Sequence, residues 1–325
     1  MRHLLIHAKS FARIEAELKP FSDRISPLVL DDAGQLNHPW GESEADAAIA
    51  FGTQDAYFSP SVMTFFQTLM GFEKLDWFQS FAAGTEHPMI QAVGQKAAQF
   101  SGSHEQSKAI AEWVLWAGLD FFQDGRARRQ AQVDKNWTRL PFREIAGSKW
   151  LIFGFGAIGQ ACGRRLKALG ADVTGVRRRV AASADADRVI TEQAARADLS
   201  DADVVVLSLP LTEATEHFAD ADFFAQMKPG SLLINVGRGG LVDETALFSA
   251  LDAGAPAQAY LDVVGEEPLS EDSPIWTHPN IVLTPHISAL TLGSQVRTDK
   301  VFLENLQHFL DGAALRNAVS ADEFS

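Results

Sequence analysis

Cysteine is almost missing from this 325-residue chain, which holds Cys162 and no other. A lone thiol closes no internal disulfide and supplies neither a zinc cluster nor a redox pair, so a reducing cytoplasm is the expected location. Long apolar runs are missing as well: no stretch approaches the roughly 18 apolar residues of a membrane-spanning helix. The opening MRHLLIHAKSFARI breaks after three apolar residues, with Lys9 and Arg13 following, and has no signal-peptide core. Basic residues are in deficit, 28 Lys plus Arg against 42 Asp plus Glu, for a net charge of -14. That balance repels a phosphate backbone. Neither a membrane nor a nucleic acid is the expected partner, and no His/Cys/Asp group has the spacing of a metal site.

Hydrophobic residues make up 46% and charged residues 22%, the balance of a globular protein with a real core. At about 100–200 residues per domain the length suggests two domains, and no repeat, low-complexity tract or Pro/Gly/Ser-rich linker marks a boundary. From Trp150 onward, WLIF at 150–153, DVTGV at 172–176, VVVL at 204–207, SLLIN at 231–235, QAYL at 258–261 and NIVL at 280–283 alternate with helix-length segments. Apolar strands joined by crossovers predict a doubly wound parallel α/β sheet, covered on both faces, over 150–285. Ile158, Cys162, Leu166 and Leu169 recur at helical spacing after the first strand, and Gly170 stops that helix. Earlier in the chain, 4–8, 46–52 and 75–81 are candidate strands of a second, smaller α/β domain, while 107–122 and 294–310 read as helices.

Gly154-Phe155-Gly156-Ala157-Ile158-Gly159 fits G-x-G-x-x-G in the setting that gives the pattern meaning, with a strand ending before it and a helix beginning within it. Gly154 permits the tight turn, Gly156 lets backbone approach a pyrophosphate, and Gly159 lets the helix pack on the strand, its N-terminal amides facing the anion. The plain alternative is a turn that only joins strand to helix. The strand ending at Val176 runs into Arg177, Arg178 and Arg179, and no Asp or Glu follows Val173 until Asp185. The carboxylate that would take the ribose 2′-hydroxyl of NAD is missing there, whereas guanidinium groups suit the 2′-phosphate of NADP. NADP(H) is therefore preferred, with NAD(H) possible; a merely solvated arginine loop is the alternative.

Three further segments carry ionisable residues just past predicted strands, where open parallel sheets place ligands: Asn235–Gly240, Leu261–Leu269 and Thr284–Ser288. With the late glycine turn, LSLPLT at 207–212, Thr215, NVGRGG, LDV..EEPL and TPHIS, the chain resembles the D-isomer-specific 2-hydroxyacid dehydrogenase family from about Leu75 to the C-terminus.

The resemblance implies that Arg238, Glu267 and His286 form a catalytic triad. His286 would exchange the proton as hydride passes between nicotinamide and a 2-keto acid, Glu267 would stabilise its charged form, and Arg238 would hold the substrate carboxylate. Either Glu266 or Glu267 could face the imidazole; the following Pro268 matches the family pattern that assigns Glu267. A glutamate there also argues against the formate dehydrogenase branch. Ala83 and Gly84 resemble a carboxylate-binding loop, Asp262 the partner of the nicotinamide carboxamide, and Leu209 and Pro210 the wall beside adenosine. Thr215, Val236 and Gly237 fall in the same cofactor-binding segments. Asp262 bonding only a turn amide is the alternative.

The implied architecture is a Rossmann dinucleotide-binding domain at 109–288 inserted into a flavodoxin-like substrate domain of 1–108 and 289–325. A homodimer is implied, with the Trp113 and Trp116 helix as a candidate interface or, alternatively, core. Trp40, Phe78, Phe81 and Trp276 are candidates for the pocket or for core. The implied activity is a small 2-keto acid reductase similar to glyoxylate/hydroxypyruvate reductases. A dinucleotide-sensing, co-repressor-like binding protein is the rival.

Overall fold

Leu4, Leu5 and Ile6 are fully buried in the first strand, which lies inside a parallel sheet and can be apolar on both faces for that reason. In this computed structural model, which describes residues 1–38, 48–82, 84–85 and 87–324, the chain divides into two units, Met1–Glu105 with Thr291–Ser325, and Gln106–Leu290.

The first unit begins with strands β1 (Arg2–His7), β2 (Ile25–Leu30), β3 (Ala48–Gly52), β4 (Leu75–Ser80) and β5 (Ala97–Ser101), with helices α1 (Ala8–Leu18), α2 (Gln54–Tyr57), α3 (Val62–Gly71) and α4 (Pro88–Lys96) between them. Its parallel strands run in the order β2-β1-β3-β4-β5, the flavodoxin-like arrangement. Sequence pattern reveals β1, β3 and β4 but neither β5 nor β2, whose ISPLVL carries a proline and buries residues without clean alternation. Proline is tolerated there because β2 is an edge strand.

The second unit contains α5 (Ser107–Phe122), α6 (Gly125–Val133), β6 (Lys149–Phe153), α7 (Ala157–Ala168), β7 (Asp172–Val176), β8 (Arg188–Ile190), α8 (Glu192–Ala195), β9 (Val204–Leu207), α9 (Ala221–Gln226), β10 (Leu232–Asn235), α10 (Glu244–Ala253), β11 (Gln258–Leu261) and β12 (Ile281–Leu283). All seven strands are parallel, in the order β12-β11-β10-β9-β6-β7-β8. Alternate residues feed two cores: Leu151, Phe153, Val205, Leu207 and Leu233 on one face, Trp150, Ile152, Val204, Val206 and Ile234 on the other. The unit is doubly wound.

The chain then returns to the first unit as α11 (Leu292–Leu310), capped by Thr291, whose side chain accepts from Ser294 N. Phe302 of α11 stacks on Phe51 at 4.1 Å between ring centroids. The last strand, β13 (Ala318–Val319), pairs antiparallel with β5. No helix among the described residues is long and apolar enough to cross a membrane.

Candidate active site

The seven-stranded sheet aligns its strand ends. Phe153 registers with Val176 and Leu207, Leu207 with Asn235, Asn235 with Leu261, and Leu261 with Leu283. The residues that follow therefore leave one edge of the sheet together, on both sides of the β6/β9 switch point where connections change direction.

At that edge His286 Nδ1 lies 2.7 Å from Glu267 Oε2. Glu267, rather than Glu266, is the glutamate that meets the imidazole, and its other oxygen accepts from Val264 N at 3.1 Å. The hydrogen bond to Glu267 raises the His286 pKa above the ordinary imidazole value; burial and the Arg238 charge oppose this, while Glu267 and Asp262 reinforce it. Burial works against ionisation of Glu267, yet His286, the Val264 amide and the Arg238 charge together hold its carboxyl below the usual range. Arg238 thus lies near enough for its charge to act on both partners, and its Nη1 donates to Gly237 O at 2.8 Å. The pair is suited to carry a proton that can be given or taken.

His286 adopts φ +52°, the left-handed region that a non-glycine residue rarely occupies. Asp262 holds it there. This carboxylate is 1% exposed and accepts from Thr284 Oγ1 at 2.5 Å, Ile287 N at 2.9 Å and Ser288 N at 3.0 Å. The Asp262 carbonyl also accepts from His286 N at 2.7 Å. Asp262 bonds turn amides and so fixes the loop that presents the imidazole.

The glycine turn has the geometry its chemistry requires. Gly154 has φ +90°, and a Cβ there would stand 2.4 Å from Ser208 O. A Cβ on Gly159 would stand 2.6 Å from Gly154 O, whereas one on Gly156 would meet nothing within 4 Å. Open space thus lies in front of α7, whose first-turn amides receive no side-chain cap and no intrahelical partner. A pyrophosphate fits that cradle. The side chain of Phe155 is fully buried and lies over Gly175, so only its backbone belongs to the turn, with Ala157 and Ile158 opening the helix. Arg177 Nη2 donates to Ala181 O at 2.7 Å, while its buried Nε makes no hydrogen bond among the described residues. Arg178 and Arg179 are exposed.

Other expected positions sort by what their side chains touch. Val236 is buried, and Gly237 comes so close to Leu209 that a Cβ would stand 2.7 Å from its carbonyl oxygen. Thr215 Oγ1 donates to Pro210 O at 2.7 Å and accepts from Thr212 N at 2.8 Å, shaping the Leu209–Pro210 loop from within. Gly84 follows β4 in the first unit; Ala83 lies outside the described residues, as does Trp40. Phe78 is fully buried and Trp276 is 53% exposed.

Two residues given no role from the sequence also shape the edge, Ser208 within the LSLPLT segment and Glu244 outside every motif. Ser208 Oγ donates to Gly154 O at 2.9 Å, holding the glycine turn against the end of β9. Glu244 Oε1 accepts from Gly265 N at 2.7 Å. Both contacts join segments far apart in the chain, and such a pairing leaves no mark on the spacing of either residue.

Comparison with known proteins yields a match of residues 115–288 to the family model described as D-isomer specific 2-hydroxyacid dehydrogenase, NAD binding domain. Similarity to D-3-phosphoglycerate dehydrogenase 2, chloroplastic, of Arabidopsis thaliana is 39% identity over 204 residues, covering 60% of this chain and 32% of that protein. The chain thus spans about a third of that relative's length. Glyoxylate/hydroxypyruvate reductase B of Citrobacter koseri is 44% identical over 122 residues, 38% of each chain. Among solved structures, a D-isomer specific 2-hydroxyacid dehydrogenase family protein from Aeromonas salmonicida superposes with a TM-score of 0.79 at 31% identity, covering 99% of both chains.

Proposed function

The chain belongs to the D-isomer specific 2-hydroxyacid dehydrogenase family, and from that premise we propose that it is an NADPH-preferring reductase of small 2-keto acids, of the glyoxylate or hydroxypyruvate type, yielding D-2-hydroxy acids. The observation that carries this reading is the His286–Glu267 pair at 2.7 Å, within reach of the Arg238 charge. When bound, NADPH supplies the hydride. Arg238, charged throughout, holds the substrate carboxylate and polarises the adjacent carbonyl. His286, protonated and braced by Glu267, gives its proton to the carbonyl oxygen as the hydroxyl forms. In the opposite direction the neutral imidazole takes that proton back.

The first unit would serve as substrate domain, with Ala83 and Gly84 offering amides to the carboxylate, and the second as dinucleotide domain. Gly154 to Gly159 would cradle the pyrophosphate, Leu209, Pro210, Thr215, Val236 and Gly237 would flank the cofactor, and Asp262 would face the carboxamide with its remaining acceptor capacity. Arg177, Arg178 and Arg179 support NADP(H), since guanidinium groups bind a 2′-phosphate through paired donors. The nearest acidic residues of that loop are otherwise engaged: Asp185 with Arg164 at 3.0 Å and Asp187 with Lys167 at 2.7 Å.

A cytoplasmic homodimer completes the reading. In the second unit Trp116, Leu119, Val133, Trp137 and Phe142 are 41%, 37%, 74%, 97% and 54% exposed, an apolar surface that a second copy would cover. Mixing the protein with NADPH and a panel of 2-keto acids, and following the loss of reduced-nicotinamide absorbance, tests the activity. Turnover of a small 2-keto acid is expected; cofactor binding without turnover of any acid would instead favour the co-repressor-like sensor.

A further inference from the structure

The turn that carries Glu267 has little burial to hold it: Gly265, Glu266 and Glu267 are all exposed. It is held by contacts on the two peptides that flank Val264. Val264 N donates to Glu267 Oε1 at 3.1 Å, and Gly265 N donates to Glu244 Oε1 at 2.7 Å. A Cβ on Gly265 would stand 3.2 Å from that same Glu244 oxygen, so the carboxylate lies directly against the glycine. From the Arg238 segment, Gly239 abuts the second of these, the Val264–Gly265 peptide, since a Cβ there would fall 1.8 Å from Val264 O and 2.4 Å from Gly265 N.

Glu244 is the first residue of α10, and the N-cap of that helix is already supplied by Asp243, which accepts from Ala246 N. An acidic residue in a first turn is favoured by the helix dipole, but that does not require its carboxylate to reach a glycine amide 21 residues away. We propose that Glu244 is a positioning residue, whose carboxylate grips the Gly265 amide and, through Val264, whose own amide bonds Glu267, keeps the Glu267 carboxylate turned to His286.

The charged groups acting on the imidazole are Glu267 and Asp262 from the segment after β11, and Arg238 from the turn after β10; Glu244 faces the Gly265 amide. Loosening Glu267 therefore removes the largest influence that raises the His286 pKa. The inference rests on the proposed reductase only for its kinetic arm; the His286 titration is read by NMR on the full chain without substrate, its resonance assigned by loss in His286→Gln.

In Glu244→Ala the His286 midpoint is expected to fall by about half a pH unit, and kcat/KM for the keto acid by about tenfold. Glu244→Gln keeps an oxygen acceptor without the charge and should stay within about twofold of the unmodified protein in kcat/KM, with its midpoint unmoved. Asp243→Ala, which removes the helix cap alone, should lower Tm and leave the midpoint in place. The proposal is overturned if Glu244→Ala titrates like the unmodified protein, if Gln and Ala at 244 shift the midpoint equally, or if Asp243→Ala shifts it as much. If no keto acid is turned over, the reductase reading fails while the titration still decides the role of Glu244.

Discussion

His286 Nδ1 and Glu267 Oε2 stand 2.7 Å apart although 19 residues separate them in the chain. Each is delivered by a turn at the same end of the sheet, and each shifts the other's pKa toward the charged form.

The first prediction concerns the proton. Replacing His286 with Ala or Gln should lower kcat for keto-acid reduction by about 10²–10⁴-fold, the usual worth of a positioned general acid. NADPH affinity should hold, as fluorescence titration of the reduced cofactor would show.

Reduction needs the imidazolium, so its kcat/KM should be level at low pH and fall as pH rises through the His286 pKa, which lies above 6.5. Oxidation of the hydroxy acid should show the opposite limb. Glu267→Gln removes the largest cause of the raised pKa, and the reduction limb should then break at lower pH. The same signs apply to stability. The contribution of His286 is complete below its unfolded pKa and lost as pH rises through the folded value; that of Glu267 is complete above its ordinary 4.5 and lost as pH falls through its lowered value.

Two glycines of one turn should behave differently. Gly154→Ala places a Cβ 2.4 Å from Ser208 O at φ +90°, which should destabilise the fold by about 1–3 kcal/mol in denaturant titration. In Gly156→Ala the added Cβ meets nothing within 4 Å; its Tm should be almost unchanged, while NADPH binding by calorimetry weakens by at least about tenfold because the side chain enters the pyrophosphate's space.

Cofactor choice should reside in the arginine turn. Kinetics with both cofactors should give the higher kcat/KM with NADPH, and Arg177→Asp combined with Arg178→Ala should reverse much of that preference. Equal kinetics with NADH and NADPH in the unmodified protein would remove the argument.

Trp137, 97% exposed in the single chain, should lose that exposure in a dimer. Sedimentation velocity should show Trp137→Ser shifting the protein toward monomer, with the near-ultraviolet spectrum of the folded chain otherwise retained.

Apolar strands from 150 to 283 were legible because a parallel sheet buried on both faces leaves runs of Val, Ile and Leu that no surface segment would carry. The glycine turn was legible because backbone approach and positive φ demand glycine whatever lies elsewhere. β8, three residues beginning with Arg188, was not, because an edge strand needs little hydrophobicity and its pairing comes from its neighbour; nor was β2, whose proline and irregular burial hide the strand period. The sequence by itself determined which residue types stand after each strand: Arg238, Glu267 and His286, the three glycines, and an arginine turn in place of a carboxylate. Only the tertiary structure decided that Glu267 rather than Glu266 meets the imidazole, that Asp262 spends its carboxylate on the His286 loop, and that Glu244 reaches Gly265. Hydrogen bonds between turns depend on strand register and on the direction each side chain leaves the sheet, and these are set by packing across the whole unit rather than by neighbours in the chain.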